Sequence, residues 1–328
     1  MTASDVAGDG GGRLEVDAVV VGGGPAGLAA ASWLGRYRRS VVVLDSTEYR
    51  SGMVERSHGY LGRDPQSPLD LIARGREEVL AYPTAQIRLG ARADAVVRRE
   101  DGLFEVGGDL LALRVVLACG VRDDLPDVEG MDVHYGAGVF HCPACDGYET
   151  RDRDVVALGW DPHLVGFSTT LLNWARSVTV VTNGLAFQGD EGSRKLLADN
   201  GTTLIEQDAV RFLGGRGDLK GLELADGSVI PTSLVFFSIA HHPRGDLAES
   251  LGCAIDDEGY VVVDREGRTS VEGVYAAGDL TPGLQLVQAA AASGAVAGVG
   301  AAQSLFGEQG APTSPSPAPD PTTPGRGG

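Results

Sequence analysis

Cysteine is scarce: four residues in a chain of 328. That is too few for a disulfide framework, so cysteine chemistry has to reside in a local pair. A zinc site is disfavoured too, because there is one C-x-x-C and no second, and His134, His141, His163, His241 and His242 lack finger-like spacing. Positive charge is short, with 27 Lys and Arg against 45 Asp and Glu and a formal net charge of -18. The summed field repels phosphate, which sets aside nucleic acid and anionic membrane as partners. Long apolar runs are missing, the short ones being broken by Gly, Asp or Arg, so no membrane span is expected. Met1 to Gly12 has no apolar centre of the kind a secretory signal needs, and a cytoplasmic location is expected. No repeat of solenoid period occurs.

What is present fits a globular chain of two domains, with 43% hydrophobic residues. Leu14 to Val21 reads as a buried strand, followed by a glycine turn and a helix from Pro25 to Arg36. Val41 to Leu44 is an apolar strand ending on Asp45, closing a βαβ unit, and Arg114 to Ala118 reads as a further parallel-sheet strand. A second αβ pattern follows: strand Asp154 to Leu158, helix from about Leu164 to Ala175, strands Ser177 to Thr182 and Leu234 to Ile239. The fold class is therefore α/β with two Rossmann-like nucleotide-binding domains. An alanine-rich helix is expected from about Gln285 to Ala302. Residues 1–13 read as a disordered leader and 311–328, rich in Pro, Ser, Thr and Gly, as a disordered tail.

Gly22, Gly24 and Gly27 fill G-x-G-x-x-G, with Pro25 and Ala26 between. The first glycine permits the tight turn, the second lets backbone approach a pyrophosphate, and the third lets helix pack on strand. The helix start then offers N-H groups and partial positive charge to the phosphates. Asp45, about twenty residues on, is placed to accept a ribose hydroxyl. Strand, helix and acid in register favour a dinucleotide seat over a purely structural turn.

Cys142-Pro143-Ala144-Cys145 can close a small disulfide, and the proline stiffens the turn. An adjoining helix start favours thiolate, making the pair a redox couple. Asp146 shuttles protons only if burial raises its pKa towards the working pH; otherwise it is an ordinary N-cap. His141 and His242 are further candidates for assisting deprotonation, although a histidine taken alone is more often structural. Cys119 and Cys253 read as small buried hydrophobes.

Gly273 to Asp279 resembles the second FAD motif of the pyridine nucleotide-disulfide oxidoreductases, and with Gly22 to Gly27 and the C-x-x-C-D-G run the chain resembles the low-molecular-weight thioredoxin reductases over roughly Val16 to Ala302. The resemblance implies FAD as cofactor, with Gly278 and Asp279 at its ribityl and phosphate region and Gln285 on the helix near the flavin. It implies a split FAD domain, 14–130 and 241–310, around an inserted NAD(P)H-type domain, 131–240, and a homodimer. By the same resemblance Cys142 is the interchange thiol, Cys145 the thiol against the flavin, and Asp146 the acid/base.

One part departs from the pattern. The glycine turn that seats NADPH in the family reads Gly159-Trp160-Asp161-Pro162-His163-Leu164, with a carboxylate where pyrophosphate should approach and a bulky residue where a small one belongs. Thr182-Asn183-Gly184-Leu185 supplies no basic cluster for a 2'-phosphate. The nicotinamide site is therefore read as degenerate. His141 to Glu149, with His58-Gly59-Tyr60-Leu61 and Arg63-Asp64, is similar to the flavin-dependent dithiol oxidases of gliotoxin, holomycin and romidepsin type. That similarity implies a small-molecule or peptide dithiol as substrate and molecular oxygen as acceptor, giving hydrogen peroxide. The alternatives are an NAD(P)H-dependent disulfide reductase with an atypical loop, a reductase fed by another redox protein, and a non-catalytic redox sensor.

Overall fold

The computed structural model describes residues 13–306; the expected tail and all but the last residue of the expected leader lie outside them. The chain divides into two compact units, one formed by residues up to Glu48, Ile72–Gly120 and Pro243 onward, the other by Tyr49–Leu71 and Val121–His242.

The first unit is built on a mostly parallel sheet. Strands Ala85–Leu89, Val41–Asp45, Leu14–Val21 and Leu110–Leu117 run side by side, and Val274–Ala276 joins the far edge of Leu110–Leu117 in parallel. Phe104–Val106 and Val96–Arg98 extend the sheet antiparallel. Every residue of Val41–Asp45 is buried, which explains its unbroken apolar run: a parallel strand covered on both faces has no wet side to alternate with.

Helix Pro25–Arg36 carries Pro25 in its first turn, where the missing N-H costs no hydrogen bond. It packs on the last helix, Val287–Ser304, through small residues. A β-carbon on Gly294 would lie 2.0 Å from the Ala26 carbonyl oxygen, and one on Gly298 would lie 2.5 Å from that of Ala30. The two backbones are in contact, so a side chain at either glycine forces them apart. Gly298→Val should therefore destabilise the fold by about 3 kcal/mol, read as a lowered melting temperature. An unchanged midpoint would mean the helices are not packed this closely.

The second unit has its own parallel sheet, in the order Thr203–Ile205, Ser177–Val181, Asp154–Leu158, Val235–Phe237 and Val139–Phe140. Helices Leu164–Leu171 and Glu191–Asp199 flank it, and an antiparallel meander, Ala209–Gly215, Asp218–Leu224 and Val229–Pro231, completes the unit. Separate apolar clusters lie around Val156, Leu158 and Phe237, and around Ala157, Leu164 and Phe236.

Four expectations are corrected. Residues 49–71 group with the second unit, not with the glycine-turn domain, and the chain changes unit at Gly120 instead of 130. Long-range ion pairs explain the segment's allegiance: Arg50 makes a bidentate pair with Asp123, and Arg216 binds Glu55 and the Met53 carbonyl. Gln285 precedes the last helix, which starts at Val287 after an extended Leu286. The helix expected to reach Ala175 stops at Leu171, where Asn173 bonds back to the Thr170 carbonyl.

Candidate active site

In the first unit the two glycine motifs meet. Gly22 adopts φ +114°, and a β-carbon there would lie 2.2 Å from the Ala118 carbonyl oxygen; one on Gly27 would lie 1.8 Å from that of Gly22. These positions exclude a side chain by close backbone approach. Around Gly24 the space is open, and as N-cap it provides no side-chain bond to the helix start. Amides there remain available to an anion. Gly278, at φ +75°, turns the chain directly above this point, since a β-carbon on it would be 2.8 Å from that of Ala26. Open backbone at Gly24 and a second glycine turn against Ala26 fit a bound dinucleotide. Asp279 follows in a short 3-10 turn.

Asp45 is fully buried with both oxygens occupied: one accepts the Thr47 amide at 2.8 Å, the other the Arg76 guanidinium at 2.8 Å. Its carboxylate is thus held by the protein as well as being placed beside the glycine turn. Gln285 donates to the Tyr260 hydroxyl at 3.0 Å.

The second unit's glycine turn differs. A β-carbon on Gly159 would lie 2.4 Å from the Ser238 carbonyl oxygen, so this glycine is kept for packing. Asp161 Oδ1 accepts the His163 amide at 2.9 Å and pairs with the His163 ring at 2.8 Å. An amide that a phosphate needs at the helix start is already bonded, and to a carboxylate. Beyond Ser177–Val181, Asp208 lies against Gly184 and Glu206 binds Arg194. The basic side chain there, Arg194, is already paired with Glu206, and the Asp208 carboxylate lies against the turn.

Cys142 and Cys145 form a disulfide, with Cα atoms 5.3 Å apart. Cys142 caps the short helix Pro143–Asp146, and its sulfur accepts the Cys145 amide at 3.1 Å. That amide stabilises negative charge on the Cys142 sulfur whenever the bond is opened. Gly147 behind it is covered by Trp174, whose ring would lie 2.5 Å from a β-carbon there.

Asp146 is buried at 8% exposure, and its pKa is pushed up to about 7, chiefly by desolvation, with His58 pulling it down and Glu149 pushing it further up. A carboxyl that titrates near neutrality both accepts and returns a proton there. His141 behaves differently. Burial lowers it to about 4, outweighing the opposing charge of Asp123, and its Nδ1 lies 3.1 Å from the Tyr135 hydroxyl. At neutral pH it is an uncharged imidazole, a weak base. Burial likewise raises Tyr135. His242 is exposed and bonded to Asp124 at 2.8 Å.

Sequence reasoning assigned no role to His58, Asp64 or Glu149. His58 Nδ1 lies 3.1 Å from Asp64 Oδ1, and its Nε2 lies 3.7 Å from Glu149 Oε1. The signal was the run His58-Gly59-Tyr60-Leu61 with Arg63-Asp64, whose place beside the cysteine turn is set by folding. Tyr148 is exposed with Arg151 stacked 3.7 Å over its ring. Among the described residues no cluster of three His, Cys, Asp or Glu forms a metal site, and no helix is long and apolar enough to cross a membrane.

A family model described as pyridine nucleotide-disulphide oxidoreductase matches residues 16–294. The chain is 31% identical over 313 residues to thioredoxin reductase sirT of Leptosphaeria maculans, covering 87% of this chain and 92% of that protein. It is 30% identical over 309 residues to thioredoxin reductase tcpT of Claviceps purpurea, covering 89% and 95%. Among solved structures it is similar to HlmI, with a TM-score of 0.82 and 34% identity over 90% of this chain and 94% of that one. The chain belongs to the pyridine nucleotide-disulfide oxidoreductases, as an FAD-binding enzyme of the thioredoxin reductase type.

Proposed function

We propose that the protein is a dithiol oxidase, closing a disulfide in a small-molecule or peptide substrate and delivering the electrons to oxygen. The observation that carries this reading is Asp161. Its carboxylate holds the His163 amide at the start of helix Leu164–Leu171, and with Asp208 against Gly184 beyond the next strand it opposes a nicotinamide dinucleotide. A disulfide-active flavoprotein without that electron source runs in the oxidising direction.

In this reading Asp146 takes the proton of one substrate thiol. The resulting thiolate attacks the Cys142 sulfur, the Cys142–Cys145 bond breaks, and Cys145 leaves as thiolate. The second substrate thiolate then attacks its own sulfur of the mixed disulfide. Cys142 leaves as thiolate, eased by the Cys145 amide, and Asp146 returns the proton to it. The substrate is oxidised to a disulfide, the cysteine pair is reduced, and one further proton goes to solvent. Gly22 to Gly27 and the Gly278 turn would hold FAD, which would supply the two-electron link from the reduced cysteine pair to oxygen, with hydrogen peroxide as the product.

The test is an anaerobic titration of the flavin absorbance. Dithiothreitol should bleach it, and readmitted oxygen should restore it with release of hydrogen peroxide, whereas NADPH should leave it unchanged. Rapid bleaching by NADPH would establish instead the rival reading, a reductase, which the names of the relatives favour.

A further inference from the structure

Residues 49–71 are part of the cysteine-bearing unit, and they bring an imidazole to the turn that carries the redox pair. Both ring nitrogens of His58 face a carboxylate: Nδ1 lies 3.1 Å from Asp64 Oδ1, and Nε2 lies 3.7 Å from Glu149 Oε1. Asp64 is itself fixed, because its other oxygen accepts the Gly59 amide at 3.1 Å. Glu149 sits on the turn Gly147–Thr150, immediately after Asp146. One of its oxygens, Oε2, is shielded from solvent and has no hydrogen-bond partner among the described residues, while the other, Oε1, faces the His58 ring.

Asp146 is the most buried of these groups, and the Glu149 side chain is 37% exposed. Asp146 is buried at 8%, while the side chains of His58 and Asp64 are 26% and 48% exposed. Charge on Glu149 opposes ionisation of Asp146, and charge on His58 favours it. Among the described residues these two charges act on Asp146 in opposite directions, and Tyr135, which Asp146 in turn pushes up, is the other titratable group coupled to it.

We propose that His58 is the positioning residue for the acid–base group of the site: clamped between Asp64 and Glu149, it offsets the Glu149 charge beside Asp146 and keeps that carboxyl able to take a thiol proton and to return it. This rests on reading Asp146 as the acid–base group. A simpler role, in which His58 only braces its loop, makes a different prediction.

The FAD-loaded protein is reacted anaerobically with dithiothreitol between about pH 5 and about pH 9, quenched with an alkylating reagent, and the thiols formed on Cys142 and Cys145 are counted by mass spectrometry. His58→Gln should raise the midpoint of the rate profile by about one pH unit, and Glu149→Gln should lower it by about one. The double variant should return it close to the wild-type value, since the two charges oppose each other. Shifts in the same direction, or none, overturn the proposal, as does a uniform loss of rate at every pH, the result a loop brace gives. If His58→Gln does not fold, Glu149→Gln decides alone, and a midpoint it leaves in place is fatal. A pH midpoint unaffected by Asp146→Asn removes the acid–base reading itself. One that Asp146→Asn abolishes but His58→Gln leaves in place removes only this inference.

Discussion

If the protein is the dithiol oxidase proposed, Cys145→Ser should abolish dithiol-driven oxygen consumption, lowering it at least about 10³-fold, while FAD stays bound. The size of the loss follows from the chemistry. A substrate thiolate needs a sulfur-sulfur bond to attack, and without Cys145 the sulfur of Cys142 is a lone thiol that offers none. Cys142→Ser should be equally severe for the same reason. The two other cysteines offer no substitute: Cys119 is raised to about 11 by burial, Cys253 is buried, and both belong to the other unit. Cofactor binding should survive because the glycine turns proposed to seat it are in that other unit, and because a loop as short as Cys142 to Cys145 contributes only about 2 kcal/mol to stability. An oxygen electrode with dithiothreitol measures the rate, and the flavin spectrum confirms the cofactor. Activity above a tenth of wild type in either variant removes the cysteine pair from the mechanism.

The Cys142–Cys145 pair and the Gly22 to Gly27 turn were visible in the sequence because their geometry is local. A tight turn, a helix start and a small disulfide each depend on residues only a few positions apart, and the buried strand at Val41–Asp45 declares itself by its composition. The defect in the second glycine turn was visible for the same reason, since Asp161 bonds two positions along the chain. What folding adds is set over long separations. Arg76 reaches Asp45 across 31 positions, Arg50 reaches Asp123 across 73, and Arg216 reaches Glu55 across 161. No periodicity records such pairs, so the allegiance of 49–71 and the approach of His58 to Glu149 had no local signature. The titration of Asp146 belongs with them: it is a consequence of burial, and the neighbours of Asp146 in sequence do not determine how deeply it is covered.

Asp146→Asn should lower the rate of disulfide reduction by a dithiol about 10²-fold near neutral pH and at the same time stabilise the fold in alkaline solution. The two effects have one origin. In the unfolded chain the carboxyl titrates near its ordinary value of 3.8, and in the folded protein burial holds it at about 7. Below 3.8 both states are protonated, and burial costs nothing in charge. As pH rises from there the unfolded state gives up its proton while the folded state keeps it, so stability declines until the folded carboxyl ionises too at about 7. Above that value the penalty is complete, on the order of 2 to 4 kcal/mol. Asparagine removes the charge and with it the penalty. Melting temperatures of wild type and variant, measured from acid to alkaline pH, should therefore coincide near pH 4 and diverge through pH 7, with the variant higher. A difference that is flat with pH, or a variant that is less stable above neutrality, would mean that Asp146 ionises without cost and is not poised for proton transfer. A variant that melts higher while reacting more slowly shows a carboxyl retained for chemistry against its own contribution to the fold.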